Sequence, residues 1–80
     1  MGVLTPQQAL ANRIRADERN IENLSPMSSA LTISCLTADC AVHFIWARKL
    51  DKELARDAEH NLERMAQIYA ERMMGPGGKL

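Results

Sequence analysis

Two helix starts and one helix stop confine this chain more than any other feature. Thr5-Pro6-Gln7-Gln8 and Ser25-Pro26 each place a hydroxyl side chain just before a proline, as an N-cap does before the first helical position. Gly75-Pro76 ends the last helical pattern. The 80 residues therefore read as two or three helices. Almost no irregular segment is left between them to hold a loop-borne active site.

The first helix is expected over about residues 5–24. Thr5 and Gln8 have the spacing of a capping box, and Leu4 is placed to pack on Ala9 as a hydrophobic staple. Leu10, Ile14, Ile21 and Leu24 form its apolar stripe, with Arg13 and Asp17 as an i,i+4 pair on the polar side. A stripe this narrow needs something larger to dock against, because an isolated helix of this length is marginal in water.

The second helix is expected over about residues 26–74, starting at Ser25-Pro26. Its first half is rich in small residues, Ser29, Ala30, Ser34, Ala38 and Ala41, between Leu31, Ile33 and Leu36. Leu31-Thr32-Ile33 has some strand propensity, but the chain offers no second strand to pair with it. From Val42 onward the pattern is helical, with Leu50, Leu54, Ala58, Leu62, Met65, Tyr69 and Met73 three and four apart. Thr37 or Asp39 offers a second N-cap, so the helix is read as either straight or bent near 37–40. Unbroken, it would be roughly 70 Å long and would expose an apolar face along its length. The fold class is thus all-α: a short helix on a long second helix, as a hairpin or three-helix bundle completed by oligomerisation. Residues 75–80 read as a flexible tail to this single domain.

Composition points the same way. Phe44, Trp46 and Tyr69 are the only aromatics, so a core of this size lacks the residues that usually fill it, and a homo-oligomer, a dimer first, is expected. Ten basic and ten acidic side chains cancel, which disfavours generic nucleic-acid binding. A helical DNA-binding regulator would need one basic face, and the interspersed acids oppose it. The first twenty residues lack a secretory pattern, and a cytoplasmic location is expected. Ala30 to Ala47 is long enough to cross a thin bilayer, but Asp39, His43 and many hydroxyls favour a core helix over a membrane segment.

Chemistry-bearing residues are few. Cys35, Asp39 and His43 share one helical face with Cys40 close by, yet one helix rarely supplies a whole metal site, and Asp39 is expected to bond His43 instead. Cys35 and Cys40 point roughly 140° apart on a helix and are expected to be reduced. Asp57-x-x-His60, with Glu53 and Glu63 nearby, echoes half of a di-iron motif and reads better as a solvated charged face. No cofactor or metal is expected. A nucleophile with base and oxyanion hole is missing, as is a glycine-rich phosphate loop, so an enzyme is not expected.

The expected contact surface is Phe44, Trp46, Arg48, Lys49 and Leu50, which joins aromatic and cationic residues of the kind that concentrate binding energy. Phe44 and Ile45 cannot share a face with Trp46, so at least one large group looks away from the chain's own core. The function expected is that of a small helical regulator or inhibitor that dimerises and docks on a larger protein. The alternative is an oligomer holding a small polar ligand such as a nucleotide between chains. Arg13, Arg15, Arg48 and Lys49 would serve phosphate there, and Trp46 or Tyr69 would stack.

Overall fold

The computed structural model describes residues 2–74. Over them the protein is all helical, with α1 at Pro6–Glu22, α2 at Ala30–Leu50 and α3 at Lys52–Met73. The Gly75-Pro76 stop and the tail over 75–80 lie outside the described residues. The capping box forms as expected: Gln8 N donates to Thr5 Oγ1 at 3.1 Å and Thr5 N to Gln8 Oε1 at 3.0 Å. Leu4, the expected staple, is exposed. The helix ends at Glu22, two residues short of expectation, where Asn23 N donates to the Arg19 carbonyl at 3.0 Å.

Ser25-Pro26 does not start a helix. Ser28 N donates to Ser25 O at 3.0 Å and Met27 N to Ser25 Oγ at 3.1 Å, so Pro26 occupies the second position of a turn. Serine before proline suits both settings, and here Ser29 takes the cap by accepting from Thr32 N at 3.1 Å. Arg72, in the last turn of α3, fastens this turn by donating to the carbonyls of Ser25, Pro26 and Ser28 at 3.3, 3.3 and 2.5 Å.

The long second helix is two helices, broken at Asp51 and not near 37–40. Thr37 Oγ1 donates back to the Ile33 carbonyl at 2.7 Å within an unbroken α2, and Asp39 lies exposed in the same helix. At Asp51 the backbone is extended, with φ −164° and ψ 123°. Its N–H still closes α2 on the Ala47 carbonyl at 2.9 Å, while its carboxylate accepts from Glu53 N and Leu54 N at 2.9 and 3.3 Å. One residue thus ends α2 and caps α3. Arg48 and Lys49 in the last turn of α2 and Glu53 in the first turn of α3 complement the two helix dipoles at this junction.

The break folds α3 back along α2, and α1 lies against both. One apolar cluster joins Ile21, Ile33, Leu36, Cys40 and Met65, and a second joins Leu10, Ile14, Ala47 and Ala58. Between them each helix contributes one polar side chain, Asp17, His43 and Asn61. The chain is elongated, about 48 × 22 × 15 Å, with a radius of gyration of 13.9 Å. A compact domain of this length would measure roughly 12 Å.

Candidate association surface

α1 and α3 are strongly amphipathic, whereas α2 has almost no preferred side because apolar residues surround it. Its inner face, Ile33, Leu36, Cys40 and Ala47, is buried against α1 and α3. Its outer face holds Leu31 at 72% exposure, Val42 at 48%, Ile45 at 54% and Trp46 at 51%, together with exposed Cys35 and Ala38. Four large apolar side chains stand bare together on one side of one helix, the kind of exposed apolar grouping that marks contact surfaces. Leu31, Cys35, Ala38, Val42, Ile45 and Lys49 follow one another at separations of 4, 3, 4, 3 and 4 residues, the spacing of a coiled-coil seam. The spacing of this seam stands in the sequence, hidden by the small residues Cys35 and Ala38 and by Lys49 at its end.

The residues of the expected surface point in different directions. Phe44 is half-buried against the second apolar cluster, and the Arg48 guanidinium lies 5.6 Å from its ring centroid, a cation–π contact that turns both away from Trp46. Trp46 and Leu50 instead flank an almost wholly apolar groove of about 320 Å³ whose other wall is Pro6, Ala9 and Leu10 of α1, with Lys49 at its rim. At the other end of α2 a wider groove of about 520 Å³ runs beside α1 between Leu24, Ser28, Leu31, Thr32, Cys35 and Asp39. The outer face of α2 is therefore a ridge with a groove against α1 near each end.

The residues proposed for a polar ligand are not assembled. Arg48 and Lys49 stand together at the end of α2 beside Ile45. Tyr69 lies on the stretch of α3 that Arg72 ties to the start of α2, most of that helix's roughly 30 Å length away. Arg13 and Arg15 are exposed on α1, where Arg15 donates to Asn12 Oδ1 at 2.9 Å. The cleft that contains Arg15, about 160 Å³ between α1 and α3, also holds Glu18 and Asp57, so no net positive charge gathers there. His60 is exposed in that cleft, and no three His, Cys, Asp or Glu side chains converge on a metal position among the described residues.

The polar layer corrects two expected pairs. Asp17 is buried and does not sit on a polar face with Arg13, and His43 bonds Asp17 across the α1–α2 contact, not Asp39 on its own helix. His43 Nδ1 and Asp17 Oδ2 are 2.5 Å apart, and because an ionised carboxylate only accepts, the ring proton belongs on Nδ1. Asn61 Nδ2 donates to the Ile14 carbonyl at 3.0 Å, so no buried side-chain nitrogen or oxygen is left without a partner among the described residues.

Asp17, His43 and Cys40 together carry the residue types of a cysteine-nucleophile triad. The chemistry runs the other way. Burial first, then the carboxylates of Asp17 and Asp39, push the Cys40 thiol up to about 12, which holds it in the unreactive protonated form. Amides in the middle of α2 are spent on its own helical ladder, so none is free as an oxyanion donor. The cluster fastens α1 to α2. Both cysteines are free, Cys35 exposed and Cys40 buried.

α2 is also the one helix among the described residues that is long and apolar enough to cross a membrane, and only 28% of its apolar window is buried inside the protein. No protein-family model matches the chain, and neither a curated protein nor a solved structure is significantly similar to it.

Proposed function

We propose that this protein works by association, as a small non-catalytic helical module that regulates or inhibits a larger protein through the outer face of α2. The observation that carries this reading is the bare row of Leu31, Val42, Ile45 and Trp46 on a helix whose opposite side is already fully packed. Exposed aromatic and aliphatic anchors beside an apolar groove are the elements from which interface energy is built. Arg48 and Lys49 supply a basic end that favours an acidic partner edge there.

The reading is tested by affinity capture from cells that express the chain, comparing wild type with Val42→Glu and Trp46→Ala. Proteins held by the outer face are expected to be lost at least tenfold from both variants, since one buried charge or one lost anchor costs about 2 kcal/mol or more. Circular dichroism should be unchanged because both side chains are half exposed. Equal capture by all three proteins overturns the reading.

A further inference from the structure

We infer that, where no larger partner holds it, the outer face of α2 is covered by a second copy of the same helix, running antiparallel and centred on residue 40, which the partner displaces. The inference rests on the reading of that face as a docking surface. Three features of the face select this occupant and this direction.

The first is size complementarity. In an antiparallel pair, each seam position of one helix faces a position of the other seam type, and several registers satisfy that. Only one centres on residue 40, the midpoint of Ala30–Leu50, so that the full helices overlap. In that register Ala38 faces Val42 of the second copy, Cys35 faces Ile45, and Leu31 faces the aliphatic stem of Lys49. Small thus meets large in the two central kinds of layer, as a close-packed interface requires. A parallel in-register pair would instead set Ala38 on Ala38 and Cys35 on Cys35, leaving gaps, and would stack Lys49 on Lys49.

The second is the place of Trp46. In the centred register residue 46 falls two positions, about 3 Å along the axis, from Thr32 on the same flank of the second copy, beside the groove of about 520 Å³ whose walls include Leu24, Leu31, Thr32, Cys35 and Asp39. An indole from each copy enters the groove of the other against its apolar wall of Leu24, Leu31, Cys35 and Leu36, with its N–H beside the polar rim of Asn20, Asn23 and Asp39. The third is the orientation of the rest of the molecule. α1 and α3 cover the inner side of α2 and carry charged outer surfaces, so α2 could span a bilayer only after the bundle opened.

The strip is about 30 Å long and one helix wide, smaller than the roughly 800 Å² per partner of a standard stable interface, so the dimer is expected in the micromolar range. One contact opposes it. The Asp39 carboxylates of the two copies lie on the same flank near the two-fold axis, and Asp39→Asn is expected to tighten the dimer about two- to fivefold.

Sedimentation equilibrium of the full chain from about 1 to 500 µM brackets that range. It should give a mass rising from 8.9 kDa toward twice that value, and Val42→Glu should remain at 8.9 kDa with unchanged circular dichroism. Direction is read from cysteines under mild diamide oxidation. In the antiparallel register the two Cys35 are ten residues, about 15 Å, apart along the axis, so wild type should not cross-link. Ile45→Cys places a second thiol opposite Cys35 and should give a disulfide-linked dimer, which Ile45→Cys with Cys35→Ser should abolish. Cross-linking of wild type, or of the double variant, establishes a parallel pair and overturns the inference.

A chain that stays monomeric at 500 µM also overturns it. If that monomer still captures a protein partner in a Val42-dependent way, the proposed function stands and only the second copy is excluded. If the monomer instead partitions into neutral phosphatidylcholine vesicles in a Val42-dependent way, the face belongs to a membrane. A monomer that does neither overturns both readings.

Discussion

The two sides of α2 are built from the same kinds of residue and are used in opposite ways. Ile33 and Leu31 stand two positions apart in one helix, yet Ile33 is completely buried and Leu31 is among the most exposed apolar side chains among the described residues. In α1 and α3 the sequence itself separates an apolar stripe from a charged side, so their orientation follows from composition. α2 has no such asymmetry, and what orients it is the set of neighbours it acquires. The inner side is chosen by the polar layer, because only one rotation of α2 lets His43 reach Asp17 while Ile33, Leu36, Cys40 and Ala47 enter the core. A helix apolar all round in a chain this small is one layer short of complete burial.

The sharpest way to break this comparison is to truncate both residues. Ile33→Ala should cost about 3 kcal/mol, since the site is enclosed by Ile21, Leu36 and Met65 and cannot collapse. Leu31→Ala should change stability by no more than about 0.5 kcal/mol, measured by urea unfolding at submicromolar concentration, below the range expected for the dimer. Equal costs would mean that Leu31 is covered within the single chain.

The next effect belongs to the polar layer. Asp17→Ala removes the carboxylate from His43 and leaves a nearly buried imidazole nitrogen without a partner, which should cost about 2 kcal/mol in the same assay. Arg13→Ala, which removes the neighbour expected to hold Asp17 on a polar face, should lie within about 0.5 kcal/mol of wild type. A small effect of Asp17→Ala would mean that the orientation of α2 comes from apolar packing alone.

The start of α1 is legible because a hydroxyl, a proline and a glutamine stand at fixed offsets, and nothing distant competes for them. Ser25-Pro26 misled because the same pair suits a turn, and the choice was made by Ser29, four residues on, and by Arg72 from the far end of the chain. The break at Asp51 carries no proline or glycine. Its local signal is charge, two cations before it and a carboxylate after it, but Arg48 and Lys49 read equally as part of a contact surface and Glu53 as part of a solvated face. Asp17 occupies the stripe position between Ile14 and Ile21, and Asn61 the one between Ala58 and Met65. A polar residue at a core position was thus visible, but which partner it meets depends on how three helices pack. Of the expected surface, Trp46, Lys49 and Leu50 border the apolar groove, while Phe44 and Arg48 answer to each other.

The smallest effects separate the two cysteines, one on each side of α2. At submicromolar concentration and pH about 8, iodoacetamide should modify Cys35 readily and leave Cys40 untouched until the chain unfolds, as a mass spectrum would record. The raised thiol also ties stability to alkali. An unfolded Cys40 releases its proton near pH 9.0, whereas the folded one holds it to about 12. Between those values the unfolded state binds fewer protons than the folded state, so stability falls as pH rises, and below about 9 this group contributes no slope. Cys40→Ala should remove that share of the alkaline slope, while Cys35→Ser should leave it unchanged. If the two variants lose the same slope, the inner and outer thiols share one environment and the division of α2 into a packed side and an open side fails.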